Sequence, residues 1–276
     1  MLLLLTLGLV NILSELNAKF CKTMPKLRLD RALLKQGLAV NRSQAEDYIR
    51  LGFVRVNDQI IDKPNILVPS SAKLTLSVEA NYVSRGAYKL DSVVHLLRLS
   101  FKDLVVLDVG SSVGGFTDYV LKHGASRVIA VDVGTNQLHP RLRADKRVLL
   151  AEQTDIRELK SLPAVPDVVL IDVSFISLRR ILPSVAKLCQ PQTIIIALVK
   201  PQFETTIDNL KHDGIIKNDH IRRDILKDFE QWARKSFVII DKADSAVAGA
   251  KGNLERFYVL KCRQIATTPT SRKVKG

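Results

Sequence analysis

At 276 residues, with 46% hydrophobic and 25% charged side chains, the chain has room for one large domain and a small one, which excludes a disordered or fibrous chain. A formal net charge of +14 points to a polyanionic partner, nucleic acid or an acidic membrane surface, while 5% aromatic residues argue against an extended base-stacking platform. Three cysteines in no C-x-x-C pair and five histidines without ligand spacing exclude a disulfide framework and predict no metal site, so a reducing, cytoplasmic setting is expected.

The opening MLLLLTLGLVNILSELNAKFCKT has an apolar run too short to span a bilayer, and it lacks the basic stretch and cleavage site of a signal peptide. Residues 1–23 are expected as an extension outside the fold, with an amphipathic packing helix as the main alternative and membrane targeting a lesser one. Residues 24–80 read as a compact α+β module. In KLRLDRALLKQG apolar residues recur at helical spacing, and Gly37 is placed as a stop. Ser43-Gln44-Ala45-Glu46 has a capping-box pattern for a second helix, which Gly52 can end. FVRVNDQIIDKP alternates like a strand, turns near Asn57-Asp58 and stops at Pro64. Arg28, Arg31 and Lys35 fall at i, i+3 and i+7, one helical face, and Arg42, Arg50 and Arg55 add charge on the segments after it. Asp30, Glu46 and Asp47 among them allow a merely solvated surface. Set beside the charge of the whole chain, the better reading is a face for RNA or DNA phosphates, with Arg85 added further on.

Residues 81–88 are expected as a linker, and 89–262 alternate strand and helix patterns. The strands are LVVLDV, RVIAVDV, RVLLAE, DVVLIDVS, TIIIALVK, FVIIDKADS and RFYVLKC, with AYKLDSVVHLLRL a helix before the first. Their β-branched runs suit a parallel sheet buried on both faces. The fold class expected is α/β: a doubly wound, seven-stranded Rossmann-like sheet with a small N-terminal α+β RNA-binding domain, its ligands at the carboxyl ends of strands. Residues 263–276 read as a basic tail.

The first strand runs into DVGSSVGGF, a glycine turn spaced Gly110-x-x-x-Gly114-Gly115 rather than G-x-G-x-x-G. A dinucleotide needs its pyrophosphate at the helix N-terminus, and a carboxylate at Asp108 repels it. The same carboxylate suits a ligand carrying an ammonium and a sulfonium, which is S-adenosylmethionine. Ser111 and Phe116 complete the turn. Asp132 ends the second strand, where an acid accepts from ribose hydroxyls, and Asp155 follows the third and could border an adenine. Any one of these acids is also what strand ends and turns commonly carry.

Lys89, Asp172, Lys200 and Glu255 stand beside strand termini, and a lysine closing the apolar TIIIALVK is unusual unless it snorkels to water or is paired. A ribose 2′-hydroxyl is a poor nucleophile that must lose its proton as a methyl arrives. A lysine can take that proton if its surroundings favour the neutral form, or remain charged and orient the oxygen.

In RLDRALL, VSRGAYKL, LDVGSSVGGFTD, IDVSFISL, LVKPQFE and GNLERF the chain resembles the TlyA family, long labelled haemolysins, over about residues 24–262. The resemblance implies an S-four-type RNA-binding domain joined to an FtsJ-like ribose methyltransferase domain. It also implies S-adenosylmethionine-dependent 2′-O-methylation of ribosomal RNA at cytidine, and a catalytic tetrad Lys89, Asp172, Lys200 and Glu255. Ala87 stands where a second glycine is expected, and LKHDGIIKND is poorer in glycine and arginine than the family pattern. The implied partner is ribosomal RNA or a ribosomal subunit, without stable membrane association; no motif sets the oligomeric state. The alternatives are a non-catalytic RNA-binding or ribosome-assembly factor that keeps the fold, and a membrane-active cytolysin, for which residues 24–276 offer no spanning helix.

Overall fold

A computed structural model describes residues 25–77, 81–205, 214–216, 218–249 and 252–263. The chain divides into two units, Met1–Arg85 and Gly86–Gly276. The extension expected at 1–23, the tail beyond 263 and most of LKHDGIIKND lie outside the described residues.

In the first unit, β1 (Lys26–Arg28) leads into α1 (Leu29–Lys35), followed by α2 (Arg42–Arg50) and four short strands: β2 (Val54–Val56), β3 (Gln59–Ile60), β4 (Leu67–Pro69) and β5 (Leu74–Leu76). β1 pairs with β4, and β2 lies between β3 and β5. Leu29, Leu33, Ala45, Ile49 and Val54 form its fully buried core. Gly37 stops the first helix as expected, in a left-handed conformation (φ 68°) that lets Leu38 N–H reach Leu33 O. Asn57 and Asp58 are both left-handed, as a tight turn between β2 and β3 requires. The second helix is capped two residues earlier than the sequence pattern suggests. Asn41, held extended, accepts from Gln44 N–H at 2.9 Å, and Gln44 Oε1 accepts from Val40 N–H at 2.9 Å, so Ser43 is already inside the helix.

The second unit is built on seven strands: β6 (Val105–Val109), β7 (Arg127–Val131), β8 (Val148–Ala151), β9 (Val168–Ile171), β10 (Ile194–Val199), β11 (Phe237–Asp244) and β12 (Arg256–Cys262). Their order is β11-β12-β10-β9-β6-β7-β8. All seven expected strands are present and the five from β10 to the β8 edge are parallel, but β12 runs antiparallel to both β10 and β11. The sequence hid this reversal because the central Phe257–Leu260 of β12 is as apolar and buried as the parallel strands. β11 betrays it: Val238 and Ile240 are exposed, the alternation of an edge strand.

Helices cover both faces. α6 (Leu178–Lys187) and α8 (Asp219–Ala233) pack Leu182, Val185, Leu226 and Phe229 onto Leu107, Val109, Ile129, Ile171 and Val199. The alternate strand residues, such as Val106, Val128, Leu170 and Leu198, are equally buried on the other face. There α4 (Gly115–Lys122) sets Phe116 against Phe257, with ring centres 6.0 Å apart. Two short helices complete the run, α5 (Pro140–Arg143) before β8 and α7 (Pro201–Glu204) after β10. The expected linker 81–88 is corrected in part: α3 (Arg85–Val94) already occupies its second half, because Ala87, Leu90, Val93 and Val94 are buried at helical spacing.

Candidate active site

The glycine turn does what its spacing demands. Gly110 is left-handed (φ 82°), and a Cβ there would stand 2.7 Å from the Asp172 carbonyl oxygen. Only glycine lets the first turn pass the end of β9 so closely. Gly114, also left-handed (φ 98°), is the N-cap of α4, and any side chain would strike Leu138 and Leu142. Gly115 and Phe116 open α4 and are buried. Asp108 projects from β6, 1% exposed, and its Oδ2 accepts from Thr117 N–H at 3.0 Å and Thr117 Oγ1 at 2.6 Å. Its Oδ1 is buried without a hydrogen-bond partner, as is Ser111 Oγ.

A cleft of about 500 Å³ opens at the carboxyl ends of β6, β7, β8 and β9. Gly110, Ser112, Asp132, Asp155, Asp172, Ser174 and Phe175 are among its lining residues, whereas the expected donor-site residues Asp108, Ser111, Gly114, Gly115 and Phe116 are not. Asp132 fixes the rim by accepting from Ser112 N–H (2.8 Å) and Gly134 N–H (2.7 Å). Asp155 is held by the Arg157 guanidinium, which keeps its carboxyl below the usual carboxylate range. Asp108 is the reverse case. Burial first, and then the nearby Asp172 and Asp132 charges, push its carboxyl up to about 7 despite the Thr117 donors. A buried carboxylate crowded by others and short of one donor fits a cationic group and disfavours a phosphate.

The four expected tetrad residues converge as two pairs. Lys200 follows Val199, which is registered with Arg256 of β12, so Lys200 and Glu255 sit just beyond one strand pair. Asp172 follows Ile171, registered with Ala197 of β10. Neighbouring strands are about 4.8 Å apart; the antiparallel β12 therefore brings its amino end to the edge where β9 and β10 end. Lys200 Nζ stands 2.7 Å from Asp172 Oδ1, and Lys89 Nζ, from α3, donates to Glu255 Oε2 at 2.7 Å. Both lysine side chains are 8% exposed. Buried ammonium groups persist because each has a carboxylate in contact.

Sequence reasoning missed several neighbours. Ser174 Oγ accepts from Lys200 Nζ at 2.7 Å. Phe175 is left-handed (φ 64°) and 91% exposed, its ring centre 5.3 Å from that of Phe203. An exposed aromatic in strained backbone is a feature that demands support. Gly249 faces Glu255 Oε1 so closely that no Cβ would fit, and buried Asn253 accepts from Ile216 N–H and donates to Gly214 O. Ser174 and Phe175 lie in the IDVSFISL stretch, but nothing in that string reveals the backbone reversal.

The basic residues of the first unit divide into two sets. Arg31, Lys35, Arg50 and Arg55 are exposed. Arg28 does not share their helical face: it ends β1, and its guanidinium grips Asp30 at 2.8 and 3.1 Å. Arg42 meets the same carboxylate at 3.2 Å. Asp30 is fully buried, and its two arginine partners and the Arg31 N–H offset the burial, holding its carboxyl below the usual range. Arg85, its side chain 10% exposed, is paired with Asp47 at 3.3 Å. Burial of that kind leaves it little surface to offer a phosphate.

A seven-stranded α/β sheet with a lysine–carboxylate tetrad at its carboxyl edge, beside a cleft of acids under a glycine turn, defines a nucleotide-modifying transferase of the methyltransferase class. The chain matches the FtsJ-like methyltransferase family over residues 82–263 and the S4 domain over residues 27–73. It is 40% identical over 242 residues to YqxC of Bacillus subtilis, covering 84% of this chain and 85% of that one. It is 34% identical over 241 residues to the 16S/23S rRNA (cytidine-2′-O)-methyltransferase TlyA of Mycobacterium tuberculosis, covering 86% and 90%. A solved structure from Streptococcus thermophilus is 38% identical, with a TM-score of 0.70 over 88% of this chain and 90% of that one. The chain belongs to the TlyA family of FtsJ-like methyltransferases.

Proposed function

We propose that this protein methylates the ribose 2′-oxygen of a cytidine in ribosomal RNA, with S-adenosylmethionine as donor, in the cytoplasm. The observation that carries the reading is the pairing of two buried lysines with two carboxylates at one edge of the sheet, where Asp172, the partner of Lys200, also lines the acid-bearing cleft. The donor, when bound, supplies a methyl group made electrophilic by its sulfonium. Asp108 Oδ1 and Ser111 Oγ, both buried and unpartnered, fit the polar end of such a molecule, and Asp132 and Asp155 fit its ribose and base.

What the chain supplies to the reaction is orientation and control of one proton. An ammonium has three donors. Lys200 directs one of them at Ser174 and stands in ion-pair contact with Asp172 at 2.7 Å, which leaves donor capacity for the 2′-oxygen of an incoming nucleotide. Stabilising that oxygen as its proton leaves is the lysine's task, whether it does so as base or as fixed cation. Lys89 pairs with Glu255, which lies one residue beyond the Val199–Arg256 register pair and so at the same strand edge as Lys200. Phe175 offers an exposed ring against which a base brought out of its stack can lie. The exposed Arg31, Lys35, Arg50 and Arg55 of the S4 unit are suited to the RNA backbone.

Mass-spectrometric mapping of ribose methylation tests the reading, comparing ribosomal RNA from cells with the protein, without it, and with Lys200→Ala. One or more 2′-O-methylcytidines should vanish together in the last two. Identical maps in all three would refute the function.

A further inference from the structure

Two segments of the second unit touch in matched order along their length. Lys200 engages Asp172 and Ser174. Phe203 packs against Phe175. Glu204 closes the series: its Oε2 accepts from Ser177 Oγ at 2.7 Å and its Oε1 from Leu178 N–H at 2.6 Å, with Arg179 Nε 3.5 Å away. The loop 172–177 is thus bound at both ends and in the middle by residues 200–204.

The Glu204 side chain is 1% exposed and is not part of the cleft lining. Burial pushes its carboxyl above the ordinary range, against the pull of Ser177, Leu178 and Arg179. A buried carboxylate is costly and persists where its hydrogen bonds hold something in place. Here it caps the first residue of α6, whose own N-cap Ser177 is occupied with Arg179 N–H. Arg179 carries the anchor outward, bonding Asp228 at 2.6 Å and lying 5.7 Å from the Trp232 ring centre on α8. What lies between the two fastenings is the strained Phe175 and the Ser174 hydroxyl that receives Lys200. Strain of this kind survives only where surrounding contacts fix the backbone.

We propose that Glu204 is a positioning residue for methyl transfer: it fixes the far end of loop 172–177 and thereby sets the Ser174 hydroxyl and the Phe175 ring against Lys200. The inference rests on the methyltransferase reading for its catalytic consequence, but not for its structural one.

With the full chain and ribosomal subunits as acceptor, Glu204→Ala should lower kcat on the order of 10- to 100-fold while KM for S-adenosylmethionine stays within about twofold. Glu204→Gln keeps an oxygen for Leu178 N–H and an amide for Ser177 Oγ, and should recover most of the loss. In a Ser174→Ala background, Glu204→Ala should cost little more, because both changes release the same lysine. Amide exchange over 173–178 should accelerate in Glu204→Ala whether or not RNA is methylated. Fully multiplicative losses in the double variant, or unchanged exchange over 173–178, would overturn the proposal. If the unaltered protein methylates no ribosomal RNA yet exchange still accelerates, the reaction is misassigned while the anchoring stands.

Discussion

Two sets of buried charge lie at one edge of the large sheet, and they are handled in opposite ways. At the tetrad every ammonium has a carboxylate within 2.7 Å, so the charges are neutralised in place before any substrate arrives. Behind the glycine turn, Asp108 is as deeply buried but has only Thr117 for company, with two more acids raising its proton affinity. The first arrangement is neutralised by its own partners; the second is a buried carboxyl with one oxygen lacking a donor, which under the proposed function would face the cationic donor.

Breaking the tetrad should have the largest effect. Lys200→Ala is expected to reduce single-turnover methyl transfer about 1,000-fold. Calorimetric affinity for S-adenosylmethionine should stay within about threefold, because Lys200 is not among the groups assigned to the donor. An equal fall in donor affinity would mean that the two sets of charge form a single site. Next comes the other pair. Lys89→Met or Glu255→Gln alone leaves a buried partner uncompensated and should destabilise the fold by about 3–5 kcal/mol, whereas the double variant should cost less than the sum. Denaturant unfolding of the three variants reads that coupling directly, and strict additivity would show that the pair contributes no mutual stabilisation.

Asp108→Asn sharpens the contrast from the other side. In the folded protein the Asp108 carboxyl titrates at about 7, well above its ordinary value of 3.8. The folded state therefore keeps a proton that the unfolded chain has lost, so this group's contribution favours folding at low pH. That contribution should fall as pH rises from about 4 to 7 and level off above. The asparagine variant should lack this decline in thermal unfolding. Donor binding should run the opposite way, strengthening as pH rises through 7 and Asp108 becomes an anion facing a cation. Asp108→Asn should weaken donor binding about tenfold and remove that pH dependence. A variant that binds as tightly as the original, with the same pH profile, would confine Asp108 to anchoring Thr117.

Most of the fold was legible in the sequence because its signals are local. β-branched runs, glycine stops and the Asn57-Asp58 turn each report a few neighbouring residues, and all seven strands of the sheet follow from them. Three of the tetrad residues, Asp172, Lys200 and Glu255, flank strand ends, whereas Lys89 lies inside α3 and joined them through the family resemblance. What escaped was chain direction and backbone reversal. An apolar β12 reads alike whether it runs up or down, and its antiparallel course is what brings Glu255 to the active edge. Ser174, Phe175 and Glu204 sat within quoted motifs, yet their roles depend on a left-handed phenylalanine and on contacts across about 26 residues of sequence. Asp30 misled in another way. It looked like a charge diluting a basic face, but it is a fully buried hub that ties down Arg28 and contacts Arg42, whose side chain stays 60% exposed.

The smallest expected effect follows from that last point, because the S4 unit holds both paired and exposed charge. Arg28 is fastened to Asp30 and Arg31 is exposed, although they lie three residues apart. Arg31→Glu should leave the unfolding temperature unchanged and weaken rRNA binding severalfold, with the dependence on log salt shallower by about 1. Arg28→Ala should instead destabilise the unit by about 1–3 kcal/mol, since it strips Asp30 of its closest cation, and should leave the salt slope nearly intact. Filter binding across a salt series, paired with thermal unfolding, separates the two outcomes. If Arg28→Ala flattens the salt slope while Arg31→Glu does not, the phosphate face lies on the β1 side of the unit and the buried Asp30 serves to aim Arg28 at RNA.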